Sequence, residues 1–205
     1  MLKSYHKKNR IEAGCDEAGR GCLAGPAVAA AVILPPGYKN KLINDSKQIN
    51  EKMRFEIAQT IKEKALAWAT GVVSHTEIDE INILNASFLA MHRAVEQLKI
   101  TPEFLLIDGN RFNKYKDTQH LCVIKGDGIY MSIAAASLIA KTHRDELMQN
   151  LHSEFPHYGW DTNKGYPTQA HRDAIAKYGS CEHHRKSFTL LPPQFSLFDE
   201  AEMEL

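Results

Sequence analysis

The stretch CDEAGRGCLAGP, residues 15–26, places two adjacent carboxylates and three glycines directly after an apolar segment. That segment, IEAGC (11–15), predicts a buried strand, so Asp16 and Glu17 lie at its end. Neighbouring residues of a strand point to opposite faces of the sheet, and two adjacent acids therefore make only half of a site. A complete site requires carboxylates from other strands.

Two later segments end in the same way. FLLIDGN (104–110) carries four apolar residues and then Asp108, and VIKGDG (123–128) places Asp127 just beyond its last apolar residue. If these strands are neighbours, like charges converge on one sheet edge, which is unfavourable unless a cation lies between them. Oxygen ligands without His or Cys favour Mg²⁺ or Mn²⁺ over Zn²⁺. Because Asp followed by Gly is also ordinary turn chemistry, only the combination predicts a divalent-metal site.

The glycines after the acidic pair do not form a nucleotide-binding motif. Gly19, Gly21 and Gly25 give G-x-G-x-x-x-G, one residue too long for the dinucleotide fingerprint, and Pro26 follows where a helix should continue. The chain also has no G-x-x-x-x-G-K-[ST] motif. Two interpretations stay open: a plain turn between strands, or a loop that lays backbone amides and Arg20 against a sugar-phosphate chain.

The composition favours one globular unit of enzyme size. The chain has 205 residues, 43% of them hydrophobic, and its longest apolar run, AVAAAVIL (27–34), is too short to cross a bilayer. We therefore expect a soluble, unexported, cytoplasmic protein with no membrane contact. The cysteines form no C-x-x-C pair, which favours reduced core thiols over disulfides or a zinc site. They are Cys15, Cys22, Cys122 and Cys181.

The charge balance hides an asymmetry. The net charge is zero, with 25 Lys and Arg against 25 Asp and Glu, which by itself argues against a nucleic-acid partner. Four carboxylates lie in DEAEMEL (199–205), and without them the balance is 25 against 21, or +4. Basic clusters then stand out at residues 3–10 and 183–186. Each cluster alone is more typical of a solvated surface than of a binding site.

Five β-rich segments and several helical patterns predict an α/β fold. The first three strands lie close together in sequence and predict a meander. The spacing of Thr76 and Asp79 is that of a capping box and predicts a short helix start. The strands are predicted at residues 11–15, 27–34, 66–73, 104–108 and 121–125, and the helices at 50–65, 82–100, 126–151 and 168–179.

Eight short motifs occur in an order that resembles bacterial ribonuclease HII. They are DEAGRG (16–21), LAGP (23–26), NDSKQI (44–49), IDG (107–109), KGD (125–127), AAASLIAK (134–141), KGYPT (164–168) and HHRKSF (183–188). Each motif alone is weak, whereas the ordered set over about residues 11–190 is highly specific. The resemblance implies an RNase H-like fold in residues 1–190, with a mixed five-stranded sheet flanked by helices. A short C-terminal tail follows at 191–205, and we expect a monomer.

The resemblance also implies a reaction. The RNA strand of an RNA/DNA hybrid would be hydrolysed, and duplex DNA would be cut on the 5′ side of a single embedded ribonucleotide. With Mg²⁺ or Mn²⁺ as cofactor, water would attack the phosphodiester and leave 3′-hydroxyl and 5′-phosphate ends. The family's four acidic residues fall on the positions that the strand ends select: Asp16, Glu17, Asp108 and Asp127.

Substrate contacts are implied in the same way. Gly19, Arg20 and Gly21 match the residues that contact the 2′-hydroxyl, the group that distinguishes ribose from deoxyribose. Tyr166 matches an aromatic residue that stacks on the next sugar. At Asn163 many relatives have histidine, so no role is carried over to that position. Phosphate contacts are implied for Lys47, Ser137, Lys141, His184, Arg185 and Ser187.

The tail contains QFSLF (194–198), which resembles the pentapeptide by which bacterial repair and replication proteins bind the sliding DNA clamp. A clamp contact would use Gln194, Phe195, Leu197 and Phe198. The alternative is a tail that folds back on its own domain, since short motifs match by chance.

Two other functions are compatible with parts of the pattern. One is a non-catalytic module of the same fold that binds RNA/DNA hybrids, which the intact carboxylates disfavour. The other is a hydrolase with a carboxylate pair, such as a glycosidase, for which a chain with two tryptophans has few aromatic sugar platforms. Dependence on magnesium distinguishes these functions.

Overall fold

The computed structural model describes residues 2–44 and 50–192, and it contains the mixed sheet expected from the sequence. The strands are β1 (Glu12–Ala18), β2 (Ala27–Ile33), β3 (Ala67–Val73), β4 (Phe104–Asp108) and β5 (Gln119–Val123). Their order in the sheet is β3-β2-β1-β4-β5. β1, β2 and β3 form an antiparallel meander, whereas β4 and β5 add in parallel on the other side of β1. The predicted meander and the predicted five-stranded mixed sheet are both confirmed.

Helices cover both faces of the sheet. The α-helices are α1 (Lys41–Asn44), α2 (Glu51–Lys64), α3 (His75–Ile81), α4 (Ile83–Glu96), α5 (Met131–Glu154), α6 (Trp160–Asn163) and α7 (Gln169–Tyr178), with 3-10 turns at Gly126–Gly128 and Pro156–Tyr158. One core cluster joins α3 and α4 to one face, and a second joins α1, α2 and α5 to the other. A third surrounds Trp160 beside α7.

Two glycines allow these helices to approach the sheet closely. A Cβ on Gly14 of β1 would lie 2.3 Å from the backbone of Ser132 in α5, and a Cβ on Gly71 of β3 would lie 2.1 Å from the carbonyl oxygen of Ala90 in α4. Both contacts are with backbone atoms, which cannot move aside. The run of small side chains in α5, residues 134–137, is buried against the sheet as the sequence predicted.

Three sequence predictions about helix ends are wrong. α3 begins after Ser74, which forms a capping box with Glu77, and not at Thr76 and Asp79. The carboxylate of Asp79 instead accepts hydrogen bonds from residues 186 and 187, so it is not available as a cap. The predicted helix 126–151 begins only at residue 131, because the 3-10 turn and an extended Tyr130 precede it. The predicted helix 82–100 ends at residue 96.

Other expectations can be checked directly. All four cysteines are free. In the described ranges 2–44 and 50–192, no helix has the length and apolar character needed to cross a membrane. The predicted division into a domain at 1–190 and a tail at 191–205 stays a prediction.

Candidate active site

The strand register brings two of the predicted carboxylates together. β1 and β4 run parallel with Cys15 opposite Ile107, so Asp16 and Asp108 are the next residues along two neighbouring strands. Cys15 and Ile107 belong to the core on the α4 side of the sheet. Because side chains alternate along a strand, Asp16 and Asp108 both lie on the face that α5 covers. Glu17 follows at the end of β1.

Burial, with a smaller contribution from acidic neighbours, raises the pKa of two of the predicted carboxylates. Burial raises the pKa of Asp16 to about 8, and the neighbouring charges of Glu17 and Asp108 add to the increase. Burial also raises the pKa of Glu17, and this effect exceeds the opposing influence of Arg20. Two buried acids that resist ionisation indicate a place where a bound cation would be stabilised.

One carboxylate oxygen points to the same conclusion. Arg20 Nη1 lies 3.1 Å from Glu17 Oε1. Among the described residues, the other oxygen, Oε2, is buried without a hydrogen-bond partner. A buried oxygen that lacks a donor costs free energy unless a ligand satisfies it. The donor set therefore fits a hard divalent cation.

The fourth predicted carboxylate comes from the turn after β5. Asp108 Oδ1 accepts a hydrogen bond of 2.7 Å from the amide of Gly126, the residue before Asp127. This bond fastens the 3-10 turn, and with it Asp127, to the end of β4. Across residues 2–44 and 50–192, however, no group of three or more His, Cys, Asp or Glu side chains is close enough to hold a metal ion. The carboxylates are thus neighbours at one sheet edge and do not form a closed cage.

Helix α5 supplies a positive charge to this edge. Lys141 Nζ donates a 2.7 Å hydrogen bond to Ser137 Oγ, one helical turn earlier. A hydrogen bond from Ser137 and the charge of Lys141 both lower the pKa of Asp16, against the larger effect of burial. Ser137, which is only 3% exposed, is hydrogen-bonded to both side chains and so connects the lysine to the aspartate. Lys141 and Ser137 therefore act on the carboxylate side of the site.

Two buried arginines hold the glycine-rich loop, residues 19–26. Arg185 donates to the carbonyls of Gly19, Arg20 and Gly25 over 2.7–3.1 Å. Arg144, which is 2% exposed, donates to the carbonyls of Ala24 and Pro26 at the end of this loop. It also donates to the carbonyl of Lys164, two residues before Tyr166. The loop is therefore a fixed part of the structure and more than a plain turn between strands.

The burial of His184 and Arg185 corrects the role expected from the sequence. Both side chains are fully buried, so neither can reach a phosphate from its present position. His184 lies in an aromatic cluster with Tyr158 and Trp160. His184 and Arg185 therefore support the site from the protein interior. Their neighbour Ser187 is exposed and donates a 2.6 Å hydrogen bond to Asp79.

Tyr166 lies on the surface beside this loop. Its side chain is 47% exposed, and the guanidinium of Arg144 lies 6.0 Å from its ring centroid. The Leu23 amide donates to the Gly165 carbonyl over 2.8 Å, which joins the two segments directly. Asn163 accepts from the Gly165 amide through its side chain and from the Tyr166 amide through its carbonyl. The residue that departs from the family pattern therefore shapes the turn before the tyrosine.

Some predicted residues cannot be placed, and some supporting residues were missed. Lys47 and the tail residues Gln194, Phe195, Leu197 and Phe198 lie outside the described residues. Sequence reasoning did not identify Arg144 or Asp79 as supports. Arg144 lies in the charged stretch KTHRDE (141–146) of α5, where one more charge gives no signal, and its partners are backbone carbonyls, which carry no sequence pattern.

Comparison with known proteins gives a consistent result. A family model described as Ribonuclease HII matches residues 13–191. A ribonuclease HII of Bacteroides thetaiotaomicron is 64% identical over 191 residues, 93% of this chain and 96% of that protein. One of Parabacteroides distasonis is 61% identical over 197 residues, 96% of this chain and 99% of that protein.

Solved structures agree on the fold. Ribonuclease H2 from Pyrococcus horikoshii has a TM-score of 0.73 at 24% identity, over 87% of this chain and 94% of that one. The enzyme in a PCNA:RNase HII complex from Archaeoglobus fulgidus has a TM-score of 0.72 at 24% identity, over 92% and 99%. The sheet, the acidic edge and the match over residues 13–191 together show that the chain belongs to the ribonuclease HII family, the metal-dependent endoribonucleases of RNase H type.

Proposed function

We propose that this chain is a monomeric, cytoplasmic endoribonuclease that cuts RNA/DNA hybrids and also cuts 5′ of a single ribonucleotide in duplex DNA. The products are 3′-hydroxyl and 5′-phosphate ends. The observation that carries the proposal is the buried oxygen of Glu17, which has no hydrogen-bond partner in the part of the chain that the structure describes, next to Asp16 and Asp108 at one sheet edge. Family membership supports the RNase H activity itself.

The four carboxylates are proposed to hold Mg²⁺ or Mn²⁺. When bound, these ions lower the pKa of a coordinated water and stabilise the leaving 3′ oxygen. A related RNase HIII was solved in complex with Mn²⁺. The protein side chains do not form a closed cluster in the described residues, so phosphate oxygens of the substrate would complete the ligand set of a bound ion. The ligands are Asp16, Glu17, Asp108 and Asp127.

The remaining residues bind and orient the substrate. Arg20 and Gly21 are exposed and Gly19 is buried in a loop whose carbonyls Arg185 holds, so the backbone at Arg20 and Gly21 can approach a 2′-hydroxyl. The exposed ring of Tyr166 stacks on the sugar that follows the ribonucleotide. Lys141 places a cation beside Asp16, and Lys47 and Ser187 contact the phosphate backbone.

The test is cleavage of a DNA duplex with one ribonucleotide, followed on a gel with and without a chelator. Asp108→Asn should lower kcat/KM by more than about 100-fold, because it removes a metal ligand, while hybrid binding is kept. Asp117→Asn makes the same chemical change at a fully exposed position and should cleave like the wild type. Comparable turnover by Asp108→Asn would refute the ligand role.

The same assay tests the alternative of a hybrid-binding module without catalysis. A module of that kind binds the hybrid in a gel-shift experiment and leaves both substrates intact at any Mg²⁺ or Mn²⁺ concentration. Cleavage that stops in chelator and returns with either ion excludes it.

For the tail we propose a contact with the bacterial sliding clamp. Gln194, Phe195, Leu197 and Phe198 give a glutamine and three apolar side chains in a segment that is otherwise polar and acidic. A structural relative from Archaeoglobus fulgidus was solved in complex with PCNA. Deletion of residues 192–205 should abolish capture of the protein by purified clamp and leave hybrid cleavage unchanged. Undiminished capture after the deletion would exclude this contact.

A further inference from the structure

Two buried histidines form a hydrogen-bonded chain that ends on the backbone of Tyr166. His171 and His184 are both fully buried. Their Nε2 atoms lie 3.2 Å apart, and His171 Nδ1 lies 2.9 Å from the Tyr166 carbonyl oxygen. At this spacing, one nitrogen of each contact must donate and the other accept, so the two histidines must have matching tautomers.

The neighbouring groups fix that order. The Cys181 amide donates to His184 Nδ1 over 3.0 Å, so the proton of His184 is on Nε2 and points at His171. Trp160 Nε1 donates to His171 Nε2 over 2.9 Å. His171 Nε2 therefore accepts, its proton is on Nδ1, and that proton is donated to the Tyr166 carbonyl. The single lone pair of His171 Nε2 thus accepts from Trp160 at 2.9 Å and, in a three-centre arrangement, from His184 at 3.2 Å.

The chain exists only while both imidazoles are neutral. Burial lowers the pKa of His184 to about 4, and His171 adds to the decrease. Burial likewise lowers the pKa of His171. The groups that face the pair include His157, His183 and Arg172, whose charges also disfavour a second positive charge. The pair is therefore neutral at pH 7.

The hydrogen-bonded chain ends at the residue that we propose stacks on the sugar, Tyr166. The Tyr166 carbonyl is fixed between Gly165, which has φ of +79°, and Pro167. The Tyr166 amide is fixed by Asn163. Because the amide and the carbonyl of Tyr166 are both hydrogen-bonded, the position of its Cα is fixed. The ring that extends from it is half exposed to solvent.

We propose that His171, supported by His184 and Trp160, is a positioning residue that sets the orientation of Tyr166 and thereby the preference for cutting at a single ribonucleotide. This inference rests on the proposed function of Tyr166 as the residue that stacks on the following sugar. His171 touches no substrate and acts only through the tyrosine backbone.

The test uses a matched pair of amides at position 171. In His171→Asn the side-chain NH₂ takes the place of Nδ1 and can still donate to Tyr166. In His171→Gln the longer side chain reaches the place of Nε2, near Trp160 and His184, and loses the bond to the tyrosine carbonyl. Both variants keep a polar group in the buried site, which protects folding.

The measurement is the preference ratio, defined as kcat/KM on a duplex with one ribonucleotide divided by kcat/KM on a continuous hybrid. We expect His171→Gln to lower this ratio about fivefold, the factor that corresponds to one lost hydrogen bond, and His171→Asn to keep it within about twofold. In a Tyr166→Ala background, His171→Gln should have no further effect. Ile175→Ala, which destabilises the same buried cluster without touching the chain, should keep the ratio.

Each other outcome counts against a specific step. An unchanged ratio in His171→Gln, or an equal decrease in Ile175→Ala, would overturn the positioning role while the proposed function stands. A wild-type protein that cuts hybrids but not the single-ribonucleotide duplex would overturn the proposed function, and the role of His171 with it.

Discussion

Replacing Arg185 with lysine separates two roles for this residue, a phosphate contact and a buried support for the loop 19–26. Arg185 is fully buried and makes four hydrogen bonds to the carbonyls of Gly19, Arg20 and Gly25. Lysine keeps the positive charge that a phosphate contact needs. Its single ammonium cannot reproduce the planar fork of the guanidinium.

The magnitude follows from the carbonyls that lose a donor. If about two of the three are left unsatisfied, the free energy of unfolding falls by roughly 2–6 kcal/mol, at about 1–3 kcal/mol for each buried group. For a chain of 205 residues, about 1 kcal/mol corresponds to about 2–4 °C in Tm. We therefore expect Arg185→Lys to lower Tm by roughly 5–20 °C.

The assay is thermal unfolding followed by circular dichroism, together with hybrid-cleavage kinetics well below Tm. Lys186→Ala is the matched control, because the adjacent side chain is exposed and its removal should leave Tm within about 1 °C. An Arg185→Lys protein that keeps both the wild-type Tm and the wild-type KM for the hybrid would show that only the positive charge is needed, as in a phosphate contact, and the support role would be refuted.

Two further predictions concern the loop and the pH dependence of stability. Gly19→Ala should lower the free energy of unfolding by about 2 kcal/mol or more, because Gly19 has φ of +91° and a Cβ would lie 2.1 Å from Arg144 Nε. Gly21→Ala is the control, since a Cβ there meets nothing within 4 Å. Equal decreases in Tm for the two variants, measured by thermal unfolding, would contradict the reasoning. The pKa of His184 is lowered from 6.5 to about 4, so the unfolded chain binds this proton first and stability is lost as the pH falls through that window. The pKa of Asp16 is raised to about 8, so its contribution is present at low pH and lost as the pH rises, which opposes the histidine in the wild type. In metal-free Asp16→Asn, the opposition from Asp16 is removed while that from Glu17 stays, so Tm should fall further between pH 6.5 and about pH 4.5 than it does in the wild type; equal changes in the two proteins would show that burial does not raise the pKa of Asp16.

The acidic edge could be predicted from the sequence because each contributing strand ends in the same way. A run of apolar residues followed by Asp108 marks a buried strand that ends at a polar edge. The sequence contains no information on which strands are neighbours, and the parallel register of β1 and β4 comes from the tertiary fold. From the sequence, Asp16 and Asp108 lie together only if β1 and β4 are neighbours, and the structure shows that they are, with Cys15 opposite Ile107.

The errors arise where two local patterns compete and a distant contact decides between them. Ser74 with Glu77 and Thr76 with Asp79 have the same spacing, and both satisfy the capping-box pattern. The structure uses the first pair because Asp79 is engaged by the segment at 186–187, which is more than 100 residues away.

The basic run HHRK (183–186) shows the same limit in another form. Its composition is typical of a solvated surface, yet His184 and Arg185 are fully buried. Burial of a charge requires partners, and here the partners of Arg185 are carbonyl oxygens of the loop. His184 and Arg185 are buried because the fold places the loop 19–26 against them, and the sequence of the run does not contain that information.

The direction in which Arg185 holds this loop has a consequence for substrate binding. In a trans peptide the carbonyl and the following amide point in opposite directions, and the described residues contain no cis peptide. Arg185 draws the carbonyls of Gly19 and Arg20 toward the interior, so the amides of Arg20 and Gly21 are turned away from it, toward the exposed side of the loop. Outward amides can donate to a sugar hydroxyl or a phosphate oxygen, and Gly21 adds no side chain that would keep such a group away. The buried guanidinium of Arg185 thus explains how this loop turns backbone donors outward, where the proposed contact with a 2′-hydroxyl would need them.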